Sequence, residues 1–128
     1  MQRVTGIGGV FFKAKDPKAL AAWYQTHLGV PLEDWGGAVF QWKSPDNPSG
    51  TGCTVWSPFA ADTSYFGSGG QGFMLNFRVA DLAALLQLLR DEGCQVDDNT
   101  EDSEFGKFGW VTDPEGNRVE LWQPPEGR

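Results

Sequence analysis

The chain is poor in the residues that hold metals and cross-links. Among its 128 residues there is one histidine, His27, and there are two cysteines, Cys53 and Cys94. A single imidazole cannot build the histidine-rich sites that zinc, nickel and iron favour. His27 falls at the end of a helical stretch, where a partly positive ring suits the negative end of the helix dipole, so it reads as a surface residue. Neither cysteine lies in a CxxC motif, and a chain of this length buries roughly two-thirds of its unfolded surface without staples. A Cys53–Cys94 bridge is open in principle, but both are read as reduced, buried, small apolar residues. Basic residues are also scarce: 10 against 17 acidic ones leave a formal charge of −7, which repels nucleic acid and anionic membrane surfaces. Nowhere do about 18 apolar residues run together, so no membrane span is expected. The opening MQRVTGIGGVFFKAK is too short and interrupted for a secretory signal. The expected location is the cytoplasm.

What is present is a repeat. GVFFKAKD alternates with the strand period and ends in Asp16-Pro17, a helix N-cap followed by proline at the first helical position. The helix PKALAAWYQTHL then puts Leu20, Trp23, Tyr24 and Leu28 on one side and stops at Gly29. MLNFRVAD leads in the same way through Asp81 into LAALLQLLRDE and Gly93, with the two caps 65 positions apart. Leu82, Leu85, Leu86 and Leu89 form its apolar stripe. Short strand-like runs follow each helix: Ala38 to Trp42 and Cys53 to Trp56, then Phe108 to Val111 and Arg118 to Trp122. CTVWSP overlays VELWQP at a spacing of 66, matching Trp56 to Trp122. Trp35-Gly36-Gly37, Pro45-Asp46-Asn47-Pro48 and Asp113-Pro114-Glu115-Gly116-Asn117 supply turns. GSGGQG matches GxGxxG literally, but a phosphate loop should open a helix and here a strand follows, so it reads as linker. The acidic run Asp97 to Glu104 lacks the glycine and spacing of a calcium loop and reads as a solvated loop. FGKFGW reads as a strand entering a cavity, and TSYFG, Thr63 to Gly67, as its lid.

Two βαβββ units of this kind, closing on DPEGNRVELW, resemble the vicinal oxygen chelate superfamily of glyoxalases, bleomycin-resistance proteins and extradiol dioxygenases. The resemblance implies an α+β fold in which curled mixed sheets surround a cup-shaped cavity and the helices lie outside. It divides one domain, 1–128, into module one at about 1–62, a linker at about 63–72 and module two at about 73–128. It also implies a homodimer or an internally paired chain. The superfamily's metal-ligand positions fall on Gly9, Thr54, Met74 and Glu120, of which only Glu120 is a ligand type. No metal or other cofactor is therefore expected, with an atypical divalent-metal site as the alternative.

Strand alternation then assigns the cup. Phe11, Trp56, Met74 and Trp122 are its expected walls, with Glu120, Asn76, Arg78, Lys13 and Thr54 as polar groups. Apolar walls with a few polar anchors suit a small, partly aromatic or hydrophobic organic molecule. Glu120 is the candidate general base of a lyase or isomerase: tryptophan neighbours would raise its pKa, whereas Arg78 or Lys13 would keep it ionised. Also open are a carboxylate merely salt-bridged across the cup, and a filled second core serving a dimerisation or scaffold role.

Overall fold

The computed structural model describes residues 3–43, 45 and 47–127; the turn residue Asp46 lies outside them. Each half opens with a strand, passes an aspartate cap and enters a helix. In the first half these are β1 (Val4–Ala14) and α1 (Pro17–Leu28); in the second, β4 (Phe73–Val79) and α2 (Leu82–Asp91). Asp16 accepts a hydrogen bond from the Ala19 amide and Asp81 from the Ala84 amide, both at 3.1 Å; each cap is worth about 1 kcal/mol. Gly29 and Gly93, at φ 70° and 82°, take the left-handed turn that ends each helix.

The remaining strands are β2 (Ala38–Gln41), β3 (Cys53–Ala60), β5 (Gln95–Val96), β6 (Glu101–Ser103), β7 (Gly106–Thr112) and β8 (Arg118–Gln123). All eight strands join one curled, unclosed sheet in the order β2-β3-β1-β4-β8-β7-β5, with β6 also on β7. The two halves meet where β1 and β4 pair antiparallel, and each carries a parallel neighbour, β3 on β1 and β8 on β4. The acidic run is only partly loop, since Glu101–Ser103 pairs with β7 while staying exposed. Among the described residues no helix is long and apolar enough to cross a membrane.

The outer face packs on the helices. Leu82, Leu85 and Leu86 of α2 are buried against Val79 and Leu121, as their spacing predicts. On α1 the stripe is rotated from the expected one: Ala21 is buried, Leu20 and Tyr24 are half-buried, and Trp23 and Leu28 are exposed. Cys53 is buried as expected, but Cys94, just past α2, is exposed; both are free thiols. The inner face carries a second cluster of Phe11, Phe66, Met74 and Trp110. Between the helices the outer face of β1 and β4 leaves Ile7, Val10 and Phe73 exposed.

Candidate functional site

The concave face of the sheet encloses a cavity of about 660 Å³. Phe11 enters from β1, Val55, Ser57 and Phe59 from β3, Asn76 from β4, Phe108 from β7, and Glu120 and Trp122 from β8. Trp35 and Phe105, both more than half exposed, stand at the rim. Phe108 and Trp122 lie nearly parallel, 10° between planes and 6.2 Å between centres, and Phe59 and Tyr65 do likewise at 12° and 5.7 Å. Trp122 is held in place by an Nε1–H bond of 2.8 Å to the Phe105 carbonyl.

Among the described residues Glu120 is the one carboxylate in the lining, and it is 1% exposed. Three neutral donors hold it. Asn76 Nδ2 donates to Oε1 at 2.6 Å, Trp110 Nε1 donates to Oε2 at 2.9 Å, and the Tyr65 hydroxyl also donates to Oε2. Burial pushes the Glu120 carboxyl above its ordinary range, against the opposing pull of these bonds and of the Arg118 charge. Burial and the Glu120 charge likewise push the Tyr65 phenol upward, so Tyr65 stays a donor. Arg118 braces the arrangement: its guanidinium stacks 4.6 Å over Trp110, donates to the Tyr65 carbonyl at 2.6 Å and meets Asp97 at 2.7 Å. Asn76 Oδ1 is buried without a donor among the described residues. It lies beside Gly8, where an added Cβ would stand 2.1 Å from it; only a glycine admits this approach. Gly8 sits in a bulge, where β1 gains one residue on β4 between Ile7 and Gly9.

The structure brings Phe11, Asn76, Glu120 and Trp122 together on the cavity wall. Met74 shares their face but is wholly buried beneath it with Phe66 and Trp110. Arg78 lies behind the wall, its guanidinium between Trp42 and Trp122 at 4.8 and 5.2 Å. Lys13 is not among the lining residues of the cavity; its ammonium lies 5.9 Å from the centre of the Phe66 ring.

Thr54 and Trp56 correct the expected lining. β3 pairs with β1 so that Val10 opposes Trp56 and Phe11 opposes Ser57, which turns Trp56 to the outer face. There it packs 5.3 Å from Phe12 and edge-on to Tyr24 of α1 at 4.9 Å. Thr54 also points outward, donating to the Ile7 carbonyl at 2.8 Å and accepting from Trp42 at 2.9 Å. The spacings explain the error: 65 on the first strands and 66 on the last differ in parity, so they cannot both preserve facing. Sequence alternation also missed Tyr65 as a partner of Glu120, because it sits on a loop with no strand period; only the reading of TSYFG as a lid pointed there.

The positions implied for a metal do not fit one. Gly9 has no side chain, Thr54 faces away, Met74 offers a buried thioether, and Glu120 is already ringed by N–H and O–H donors rather than by other ligands. Among the described residues no three His, Cys, Asp or Glu side chains converge on one point.

Residues 9–122 match the family model of the glyoxalase-like domain. No curated protein sequence matches significantly. Among solved structures, methylmalonyl-CoA epimerase from Mycobacterium tuberculosis is 20% identical over 98% of this chain and 91% of its own, with a TM-score of 0.64. A Streptomyces coelicolor methylmalonyl-CoA epimerase variant in complex with 2-nitronate-propionyl-CoA is 16% identical over 98% of both chains, with a TM-score of 0.70. A glyoxalase/bleomycin resistance protein/dioxygenase superfamily member from Vibrio splendidus 12B01 is 14% identical over 91% of this chain and 97% of its own, at 0.56. At these identities the likeness is one of fold.

Proposed function

Because the chain belongs to the glyoxalase-like domain family of the vicinal oxygen chelate superfamily, we propose that it uses that fold's cup to bind a small, partly aromatic or hydrophobic organic molecule without a metal. One observation carries this reading: a cavity of about 660 Å³ with aromatic walls has at its floor a carboxylate held by Tyr65, Trp110 and Asn76 instead of by fellow metal ligands. The volume lies in the range of small-molecule sites, and the ratio of apolar wall to polar anchor is theirs too. An acyl-CoA of the kind named for the epimerase structures is an anion, and among the described residues no Lys, Arg or His lines this cup; that favours a different ligand.

Intrinsic tryptophan fluorescence tests the reading. Titration of a panel of planar organic compounds into protein kept in EDTA is expected to change emission through Trp122 and Trp35, which line the cavity, so Trp122→Phe and Trp35→Phe each weaken the response and the double variant loses it. Trp56→Phe, altered on the outer face, keeps it. Silence across the panel, or a response that follows Trp56, contradicts ligand binding in the cup.

A second reading has its own support: a buried carboxyl with a raised pKa suits proton transfer next to a carbonyl, and two of the fold relatives are epimerases. Exchange of substrate α-hydrogen with deuterated water, lost in Glu120→Gln, separates isomerase from binder. In either reading the protein works in the cytoplasm with its thiols reduced, and as a homodimer, for which the exposed Ile7, Val10 and Phe73 provide an apolar strip.

A further inference from the structure

We propose that the molecule bound in the cup is a planar aromatic amine or amidine, cationic at neutral pH, seated with its nitrogen toward Asn76 and Glu120. The inference rests on the reading of the cup as a ligand site and adds the sign and chemistry of the ligand's polar end.

The charges of the cavity are one-sided. Its described ionisable lining groups are Cys53, Tyr65 and Glu120, with no basic side chain among them. The cation that acts on Glu120, Arg118, is engaged with Asp97, the Tyr65 carbonyl and the Trp110 ring and does not line the space. An anionic ligand would thus face the Glu120 carboxylate with no counter-charge in contact, which is unfavourable beside a carboxylate that is itself buried from water.

The hydrogen-bonding capacity is one-sided as well. A carboxylate has about four acceptor positions, and Glu120 fills three of them with the bonds from Asn76, Trp110 and Tyr65. The side-chain acceptor of Asn76, Oδ1, also has no donor among the described residues, in a residue 2% exposed. Its assignment as the oxygen follows from the other end of the amide, which must be the donor that meets the carboxylate. The two unused acceptors are neighbours, since Asn76 Nδ2 and Glu120 Oε1 are bonded at 2.6 Å. A nitrogen carrying two or three hydrogens satisfies both at once, whereas a carbonyl, ether or carboxylate satisfies neither.

The walls suit the rest of such a molecule. The stacked pairs Phe108–Trp122 and Phe59–Tyr65 border the cavity, and the electron-rich faces of aromatic rings attract a delocalised cation as well as a flat ring.

Three compounds on one ring skeleton test the idea by calorimetry on the full chain in EDTA at pH 7.5: 4-aminoquinoline, which is protonated there, neutral quinoline, and quinoline-4-carboxylate. The expected order is 4-aminoquinoline tightest, by about tenfold or more over quinoline, with the carboxylate weakest; Glu120→Gln loses that preference. The ranking in the unaltered protein stands without the variant should the variant fail to fold. Equal affinities, or tightest binding of the carboxylate, would overturn the inference and leave the aromatic cavity as a ligand site. Absence of binding by all three, together with unchanged tryptophan emission, would instead remove the ligand site and the inference with it.

Discussion

Replacing Tyr65 by phenylalanine deletes one donor from the Glu120 carboxylate and nothing else in the stack, since the ring can still lie on Phe59 and meet Trp110. Oε2 keeps its bond from Trp110 and Oε1 its bond from Asn76, so the charge is weakened in its shell rather than stranded. A hydrogen bond to a neutral acceptor is worth about 1 kcal/mol and one to a charged acceptor roughly 1.5–3 kcal/mol. The loss must therefore depend on whether Glu120 is ionised. Burial holds the Glu120 carboxyl above its ordinary value of 4.5 in the folded chain, so folding favours the protonated form. That contribution is full below 4.5 and is lost as pH rises through the folded value. Tyr65→Phe pushes the folded value higher still, because it removes a donor that favours the charged form. Its cost is expected to be about 1 kcal/mol at pH 4, where the carboxyl is protonated, and about 2–3 kcal/mol at a pH above the folded value, where it is charged, near 3–4 °C in Tm per kcal/mol for a chain of this size. Thermal unfolding followed by near-UV circular dichroism at both pH values reads the difference. In a Glu120→Gln background the cost should be small and independent of pH, since the double-mutant cycle removes the ionisable partner. An equal loss at both pH values in the presence of Glu120 would refute an ionisable, Tyr65-bonded carboxylate.

Gly8→Ala drives a methyl to 2.1 Å from Asn76 Oδ1 and 2.9 Å from Trp122 Cε3, so urea unfolding should show a loss of about 1–3 kcal/mol from overpacking; a neutral result would mean that the bulge does not pin Asn76. Val10→Glu places a charge in the exposed outer strip and should convert a dimer into a 14.0 kDa monomer by light scattering. A monomeric unaltered protein would discard that interface. Trp56→Ala should destabilise by about 2–4 kcal/mol through lost packing on Phe12 and Tyr24 without altering the cup; a changed ligand affinity with unchanged stability would return Trp56 to the inner face.

The elements that could be read from the sequence are those with a strong local signal. Asp16-Pro17 and Asp81 announced both helices because a cap is chemistry local to four residues, and the leucine stripe of α2 fixed its buried face. α1 is harder: Trp23 and Leu28 fall at stripe spacing yet stay exposed, while the contact is made by Ala21 with the half-buried Leu20 and Tyr24. On the inner face, alternation places Phe11, Asn76, Glu120 and Trp122 on one side, because each lies on a stretch of strand whose own side chains alternate without interruption. It failed on β3, where two similar hexapeptides suggested an overlay that pairing with β1 does not allow. Tyr65 and Trp110 were legible only as members of a lid and a strand; that both converge on Glu120 depends on long-range pairing that no local pattern encodes.

Glu120 is held by Tyr65, Trp110 and Asn76, and we propose that it takes no metal ion. Metal content of the purified, dialysed protein, measured by mass spectrometry after exposure to zinc, nickel, cobalt or ferrous iron, tests it most directly. The expected result is far less than one equivalent retained and no difference between the unaltered protein and Glu120→Gln. One equivalent that survives dialysis and disappears in Glu120→Gln would contradict it.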